Sequence, residues 1–289
     1  MDGRIPLRAR RFAGALLATG AAMALTAGSA TAESEVIYNN LPAKAPGNVV
    51  SEAFEATQTG QFGGVVQFAG TARRNGSVSI GMSSWACEKG AWGGTPECTT
   101  APGAKFSYPI TLNINEEGPL GEVGPLVKSV TKTFSMPYRP SQNNVKCKNA
   151  KGEPTGAWYS MSKECFHGKY FKISFGLGTF KWPAKAIVSV AYNTSDYGAE
   201  PQRPKPCDAE AAGCFYDSLN VGLTEPPEEA HPTPVPPSVG TDPQPADAYQ
   251  NTKYAPYYCD FGAGGTGTFR LDAGCWTGYQ PLIEVKAAN

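Results

Sequence analysis

The sequence predicts an all-β fold, an antiparallel β-sandwich of Ig-like or jelly-roll-like type with long disulfide-stapled loops. Three observations predict this class: short segments of alternating hydrophobicity, an even number of cysteines, and a low content of charged residues. Charged residues make up 17% of the chain, whereas globular proteins average about a quarter. Few charges combined with many Gly, Pro, Ser and Thr residues are typical of strands joined by turns.

Ten segments carry the strand signal. Each is rich in β-branched and aromatic residues and is bounded by Gly, Pro or Asn, and several alternate at period two, as Ile110, Leu112 and Ile114 do. This alternation is typical of half-buried strands. The predicted strands are Val36–Tyr38, Val49–Thr57, Phe62–Phe68, Ser77–Ser84, Phe106–Asn115, Val123–Phe134, Tyr170–Leu177, Ile187–Asn193, Ser218–Leu223 and Tyr279–Val285.

The N-terminus predicts export. Residues 1–12 contain four arginines and one acid, an apolar stretch follows, and Ala30-Thr31-Ala32 supplies a small-residue cleavage site. This order indicates a signal peptide over residues 1–32, cleaved after Ala32, and a secreted mature chain. Its removal turns 25 basic and 25 acidic residues into 21 and 24, a net charge of −3. A mildly acidic chain lacks the basic footprint of a nucleic-acid binder, and no later segment is apolar enough to span a membrane.

The cysteines predict disulfides rather than a metal site. Eight are present in an exported chain, at Cys87, Cys98, Cys147, Cys165, Cys207, Cys214, Cys259 and Cys275. Sequence alone permits 105 pairings; pairing in sequence order would close four short loops, 87–98, 147–165, 207–214 and 259–275. Structural zinc sites use closely spaced cysteine arms, and here the gaps within these pairs are 10, 17, 6 and 15 residues. We therefore predict no metal site, although calcium bound by loop oxygens is left open by the sequence.

One break in the strand pattern looks like a linker. Residues 225–248 contain eight prolines, and proline cannot donate to a sheet ladder. Only about 40 residues follow, which is small for an independent core. The sequence therefore predicts a single domain over residues 33–289, with a Pro-rich insertion at about 225–248 and a final strand that completes the sheet.

Parts of the chain resemble a group of uncharacterised secreted bacterial proteins, some of them longer and carrying Ig-like repeats. The resemblance rests on Val36–Asn40 with Pro42 and Pro46–Asn48, Met82–Trp85 leading to Cys87, Pro102-Gly103 leading into Pro109–Leu112, Ala191–Ser195 and Asp217–Val221. It implies a secreted β-sandwich and brings no established activity, so no functional residue is carried over.

Catalytic constellations are weak. The two histidines lie beside a disulfide loop, at His167, and in the Pro-rich stretch, at His231, so neither is placed as the base of a nucleophilic triad. Gly262–Gly267 satisfies G-x-G-x-x-G, but neither a helix signal nor a suitable acid follows it, as a dinucleotide site requires. A pair of acids could act on glycans, yet no pair stands out, and Glu116-Glu117 reads as a solvated turn. No cofactor is predicted.

Aromatic residues beside the predicted disulfides are the most suggestive positive feature. They are Trp92, Trp158, Tyr257, Tyr258 and Trp276. Rings held on rigid loops offer flat, amphipathic surfaces, although they also pack against disulfides. We predict a non-catalytic role, the binding of a polysaccharide or another cell-envelope component through these loops. The alternatives are an extracellular glycan-active enzyme of glycoside hydrolase type and a purely structural or adhesive cell-surface module.

Overall fold

A computed structural model describes residues 34–94, 96–202, 214–224 and 236–289. Fourteen strands run through these ranges, and the described helices are three short 3-10 turns at Pro119–Gly121, Phe215–Ser218 and Ala255–Tyr257. The strands are β1 Glu35–Asn39, β2 Ser51–Ala53, β3 Thr59–Gln67, β4 Arg74–Ser84, β5 Lys105–Glu117, β6 Val123–Pro137, β7 Trp158–Tyr159, β8 Cys165–Phe166, β9 Lys169–Gly176, β10 Lys185–Ala191, β11 Leu219–Gly222, β12 Asp247–Thr252, β13 Arg270–Ala273 and β14 Ile283–Ala288.

The strands form two six-stranded sheets and one small hairpin. Sheet A has the order β1-β14-β4-β11-β2, with β9 paired to β4, and sheet B has the order β13-β12-β3-β10-β5-β6. The hairpin is β7-β8, and every described strand pair is antiparallel. The predicted all-β antiparallel sandwich is therefore confirmed, while its Ig-like or jelly-roll-like topology stays a prediction.

The main core lies between the two sheets, because one continuous cluster of buried side chains draws on both. Alternate residues of β4 and β5 point into it, namely Val78, Ile80 and Met82, and Ile110, Leu112 and Ile114. Phe134 and Phe175 meet edge to face across the layers, with ring centroids 4.9 Å apart. Each fully buried side chain of this kind contributes about 1.5–3 kcal/mol, so the period-two pattern of the sequence is the main source of the fold.

A second, smaller core lies on the outer face of sheet B. Val65, Ile187 and Tyr249 are buried there, and Val123, Phe269 and Leu271 pack against them. This cluster covers part of the outer face and leaves a neighbouring part of it open.

Three of the predicted disulfides are present: Cys87–Cys98, Cys147–Cys165 and Cys259–Cys275. Cys207 lies outside the described residues, as do the signal peptide and His231, so the 207–214 pair stays a prediction. Among the described cysteines none is free. Multiple disulfides are typical of proteins that mature in an oxidising compartment.

The described end of the Pro-rich stretch joins both sheets. Val239 bridges to Asn39 and Thr241 to Gln67, and residues 33–289 form one compact unit. From residue 236 onward the sequence predicted one strand, but the structure has three, β12 to β14. Two were missed because β12 and β13 carry polar and charged residues among their apolar ones, which hides the alternation. No helix within the described ranges has the length and apolarity of a bilayer span.

Candidate ligand-binding cleft

The five predicted aromatic residues divide into exposed and buried groups. Trp92 is 44% exposed and Tyr257 is half-buried, whereas Trp158, Tyr258 and Trp276 are at most 7% exposed. Trp158, Tyr258 and Trp276 therefore offer little open surface to a ligand, and their part in binding stays a prediction. They pack inward because each disulfide loop folds over them and buries their apolar rings.

Three of the five nevertheless meet at one open cleft. The cystine cleft, as we name it, has a volume of about 480 Å³ and lies between the Cys259–Cys275 loop and the ends of β2 and β11. Its apolar lining consists chiefly of Val50, Leu223, Pro256, Tyr257, Phe261 and Trp276. Tyr258 and Tyr279 also contribute. Small-molecule sites are commonly concave and mostly apolar, with a few polar groups that orient the ligand.

The Cys259–Cys275 loop is cross-linked at its base. Asp272 on β13 is 1% exposed and accepts three hydrogen bonds there. Its Oδ2 accepts from Gln250 Nε2 at 2.6 Å and from Trp276 Nε1 at 2.8 Å, and its Oδ1 accepts from the Cys259 backbone N–H at 2.8 Å. Hydrogen bonds to a charged acceptor are the strong ones, about 1.5–3 kcal/mol each. The carboxylate and the disulfide therefore fix the same end of the loop.

The tip of the loop is fixed separately by Asp260. Its carboxylate accepts the backbone N–H groups of Gly262 and Gly264, both at 2.9 Å, and forms an ion pair with Arg270 at 2.8 Å. Arg270 in turn lies over the ring of Tyr258, 3.8 Å from its centroid. The Arg270 bond holds the pKa of Asp260 below its ordinary value. The Gly-rich segment Gly262–Gly267 leads into β13 rather than a helix, so it turns the loop.

Phe261 is the most exposed aromatic ring at the cleft. It is 77% exposed, and its backbone adopts a left-handed conformation, with φ of 54°. Both features are unfavourable for a bulky residue, and local backbone strain is concentrated at functional sites. Phe261 and Tyr279 were not among the predicted site residues. The available signal for Phe261 was its place between Asp260 and Gly262, a turn sequence that leaves a large side chain pointing outward.

Tyr257 is held by a buried acid behind the cleft wall. Glu52 on β2 is 1% exposed, and its Oε2 accepts the Tyr257 hydroxyl at 2.9 Å. Its Oε1 accepts hydroxyls from Thr57 at 2.6 Å and Thr59 at 3.2 Å. Burial raises the pKa of Glu52, against the opposing effect of these hydrogen bonds, and burial beside Glu52 raises that of Tyr257. This hydroxyl is therefore occupied, and the ring is oriented for contact rather than for proton transfer.

The described lining of the cleft contains no charged residue and no histidine. Three tyrosines line it, and the hydroxyl of one of them, Tyr257, is already bonded to Glu52. The cleft can therefore bind and orient a ligand with rings, aliphatic groups and a few hydroxyls.

Trp92 belongs to another surface, where the first two disulfide loops meet. Its ring contacts Trp85 edge to face, with ring centroids 4.7 Å apart, and Trp85 stacks on His167, with ring centroids 5.7 Å apart. His167 Nε2 donates to the Thr155 carbonyl oxygen at 2.9 Å if it carries the ring proton, so the histidine joins the two loops. Trp158 lies beneath them and donates from Nε1 to the Gly168 carbonyl at 2.7 Å. The rings of Trp85, Trp92 and His167 pack on one another.

Two further groups bear on chemistry. The sequence suggested a solvated turn at Glu117, and this is wrong. Glu117 ends β5, forms an ion pair with Lys185, and accepts a hydrogen bond from Gln244 Nε2 at 2.8 Å.

Cys259, Asp272 and Cys275 place possible metal-ligand atoms within 4.8 Å of one another. A cysteine binds metal as its thiolate, however, and both sulfurs are committed to the disulfide.

The chain matches no known protein-family model, and neither a curated protein nor a solved structure shows significant similarity to it.

Proposed function

We propose that this is a secreted, non-catalytic binding protein that holds a glycan or a related cell-envelope component in the cystine cleft. The observation that carries the proposal is Phe261, a 77% exposed ring at the rim of a cleft of about 480 Å³. Phe261 differs from other exposed apolar side chains in that it lines a cleft, on a cross-linked loop and with a left-handed backbone. Export is supported by the predicted signal peptide and by the disulfides.

A glycan suits this lining better than a charged ligand does. The C–H face of a pyranose ring is apolar and packs against aromatic faces, which Phe261, Tyr257 and Tyr279 supply. The sugar's hydroxyls need hydrogen-bond partners, and Ser51 and Tyr279 are polar residues of the lining. Because the disulfide, Asp260 and Asp272 fix the loop in advance, binding costs little conformational entropy.

The enzyme alternative receives no support at the cleft. Glycoside hydrolysis uses two carboxyl groups about 5–9.5 Å apart, flanking the bond that breaks. No acid is found in the described lining, and Glu52 behind Tyr257 is only 1% exposed.

The test is a binding assay on purified mature protein. An array of bacterial and plant polysaccharides identifies a ligand, and calorimetry compares its affinity for the wild type with that for Phe261→Ala. We expect the variant to bind about tenfold more weakly, since tenfold corresponds to about 1.4 kcal/mol and an aromatic contact contributes about that much.

Met161→Ala is the matched control. Met161 is fully exposed on the Cys147–Cys165 loop and does not line the cleft, so its removal should leave affinity unchanged. Equal affinities of Phe261→Ala and the wild type, or an array without any ligand, would contradict the proposal.

A further inference from the structure

A second concave surface lies on the outer face of sheet B. This polar groove, as we name it, has a volume of about 370 Å³ and is lined by parts of β3, β5, β6, β10 and β12 and by the loops at residues 193–199 and 267. It shares no lining residue with the cystine cleft.

The floor of the groove is one row of residues in register across five strands. Thr131 pairs with Thr111, Thr111 with Ala191, Ala191 with Gln61, and Gln61 with Asn251. Directly paired residues of neighbouring strands project from the same face of a sheet. The row is therefore a flat line of two hydroxyls, one methyl and two amides.

Several of these polar groups retain hydrogen-bonding capacity. Gln61 donates from Nε2 to Ser189 Oγ at 2.8 Å, which leaves its Oε1 available. Asn193 uses Oδ1 to accept the Glu200 N–H at 3.0 Å, which leaves its two amide hydrogens. The side chain of Asn251 makes no hydrogen bond to the described residues. Thr111 and Thr131 bond to each other at 2.8 Å, and each hydroxyl can form a further bond.

Backbone rather than side chains closes one end of the groove. A Cβ added at Gly60 would lie 3.0 Å from the Cα of Gly198, so these two segments are in near contact. Gly198 itself has a φ of 104°, which a larger residue rarely adopts. Pro109 provides a rigid apolar surface on β5. The groove is thus a preformed feature of the fold.

We propose that the polar groove is a second saccharide-binding site, specific for neutral sugars and independent of the cystine cleft. Its described lining has no charged residue, which disfavours ionic ligands. It offers donors and acceptors in a row, which matches the vicinal hydroxyls of a sugar. A peptide strand is a poorer fit, because β3, β5 and β10 are each hydrogen-bonded on both sides and present no free backbone edge.

The experiment is a titration of isotope-labelled mature protein, followed by NMR, with neutral hexasaccharides of glucose, xylose and N-acetylglucosamine. Oligogalacturonate serves as the charged comparison. We expect at least one neutral sugar to shift the side-chain amide signals of Asn251 and Gln61. Asn251→Ala should weaken that binding about tenfold, equivalent to one lost hydrogen bond.

Two controls separate this proposal from the first. Asn113→Ala removes an amide on the outer face of β5 that does not line the groove, and Phe261→Ala alters only the cleft; both should keep the affinity within twofold. Thr131→Val, which removes one floor hydroxyl with little change of shape, should also weaken binding. The proposal is overturned if no neutral sugar shifts the Asn251 and Gln61 signals, if only oligogalacturonate does, or if Asn251→Ala binds like the wild type.

Discussion

At the residue scale, several acids are held in environments that oppose their ionisation. Burial raises the pKa of Glu55 to about 7, and the carboxylates of Asp217 and Asp196 add to the shift, against a hydrogen bond from Thr194. Burial raises that of Asp242 to about 6, with a smaller contribution from Asp247. The pKa of an unperturbed Glu is about 4.3. Between the ordinary pKa of a glutamate, about 4.3, and the raised pKa of Glu55, about 7, the folded state therefore binds more protons than the unfolded state.

This gives a signed prediction for pH. Because the folded pKa of Glu55 lies above the unfolded value, its effect on stability is most favourable below about pH 4.3 and is lost as pH rises to about 7. The glutamine of the Glu55→Gln variant cannot ionise, so the melting temperature of the variant should fall less than that of the wild type between pH 5 and pH 8. Thermal unfolding of both proteins across this range provides the measurement. Parallel curves of melting temperature against pH would show that Glu55 is not perturbed in this way.

At the element scale, the Cys259–Cys275 loop combines a disulfide with two anchored carboxylates. The bridge spans 16 residues, for which the chain-entropy model gives about 3 kcal/mol. Asp272 and Asp260 act at the base and the tip of the same loop, and Phe261 projects from it. Stability and binding are therefore coupled in this element.

Removing the bridge should show this coupling. The Cys259→Ala, Cys275→Ala double variant should lose about 2–3 kcal/mol of unfolding free energy and should also bind the cleft ligand more weakly, because the loop must then be ordered on binding. Denaturant unfolding and calorimetry measure the two effects.

The Cys87→Ala, Cys98→Ala variant is the control for this comparison. That bridge closes a loop with a separation of 11 residues and contributes nothing to the cleft lining. This variant should lose a comparable amount of unfolding free energy, while its folded fraction should bind the cleft ligand with wild-type affinity. If both bridges affect affinity equally, or neither does, the cleft does not depend on the cross-link near it.

At the scale of the whole molecule, the sequence predicted the fold better than the site. All ten predicted segments overlap strands, because alternation such as that of Ile110, Leu112 and Ile114 directly reflects burial between two sheets. Pairing of neighbouring cysteines is confirmed for three bridges, since each closes a local loop. β12 and β13 were missed because Gln250 and Asp272 occupy inward positions, where their partners are hydrogen bonds that no local pattern reveals.

The site was harder to predict because exposure depends on contacts distant in sequence. Trp158 lies within a disulfide loop as Trp92 does, and Trp276 follows Cys275, yet of the three only Trp92 is open to solvent. Phe261 was not predicted as a site residue, because its exposure depends on the turn that Asp260 and Gly262 form. The polar groove arises from register across five strands, and register is a property of the assembled sheet.

The central claim is that the cystine cleft holds a glycan against Phe261. A crystal structure of the mature protein, with a saturating oligosaccharide chosen from the array, tests this claim most directly. We predict a sugar ring lying in the cleft, with its C–H face against Phe261 or Tyr279 and its hydroxyls toward Ser51. A saturated crystal in which the cleft is empty while the sugar is bound elsewhere on the molecule would contradict it.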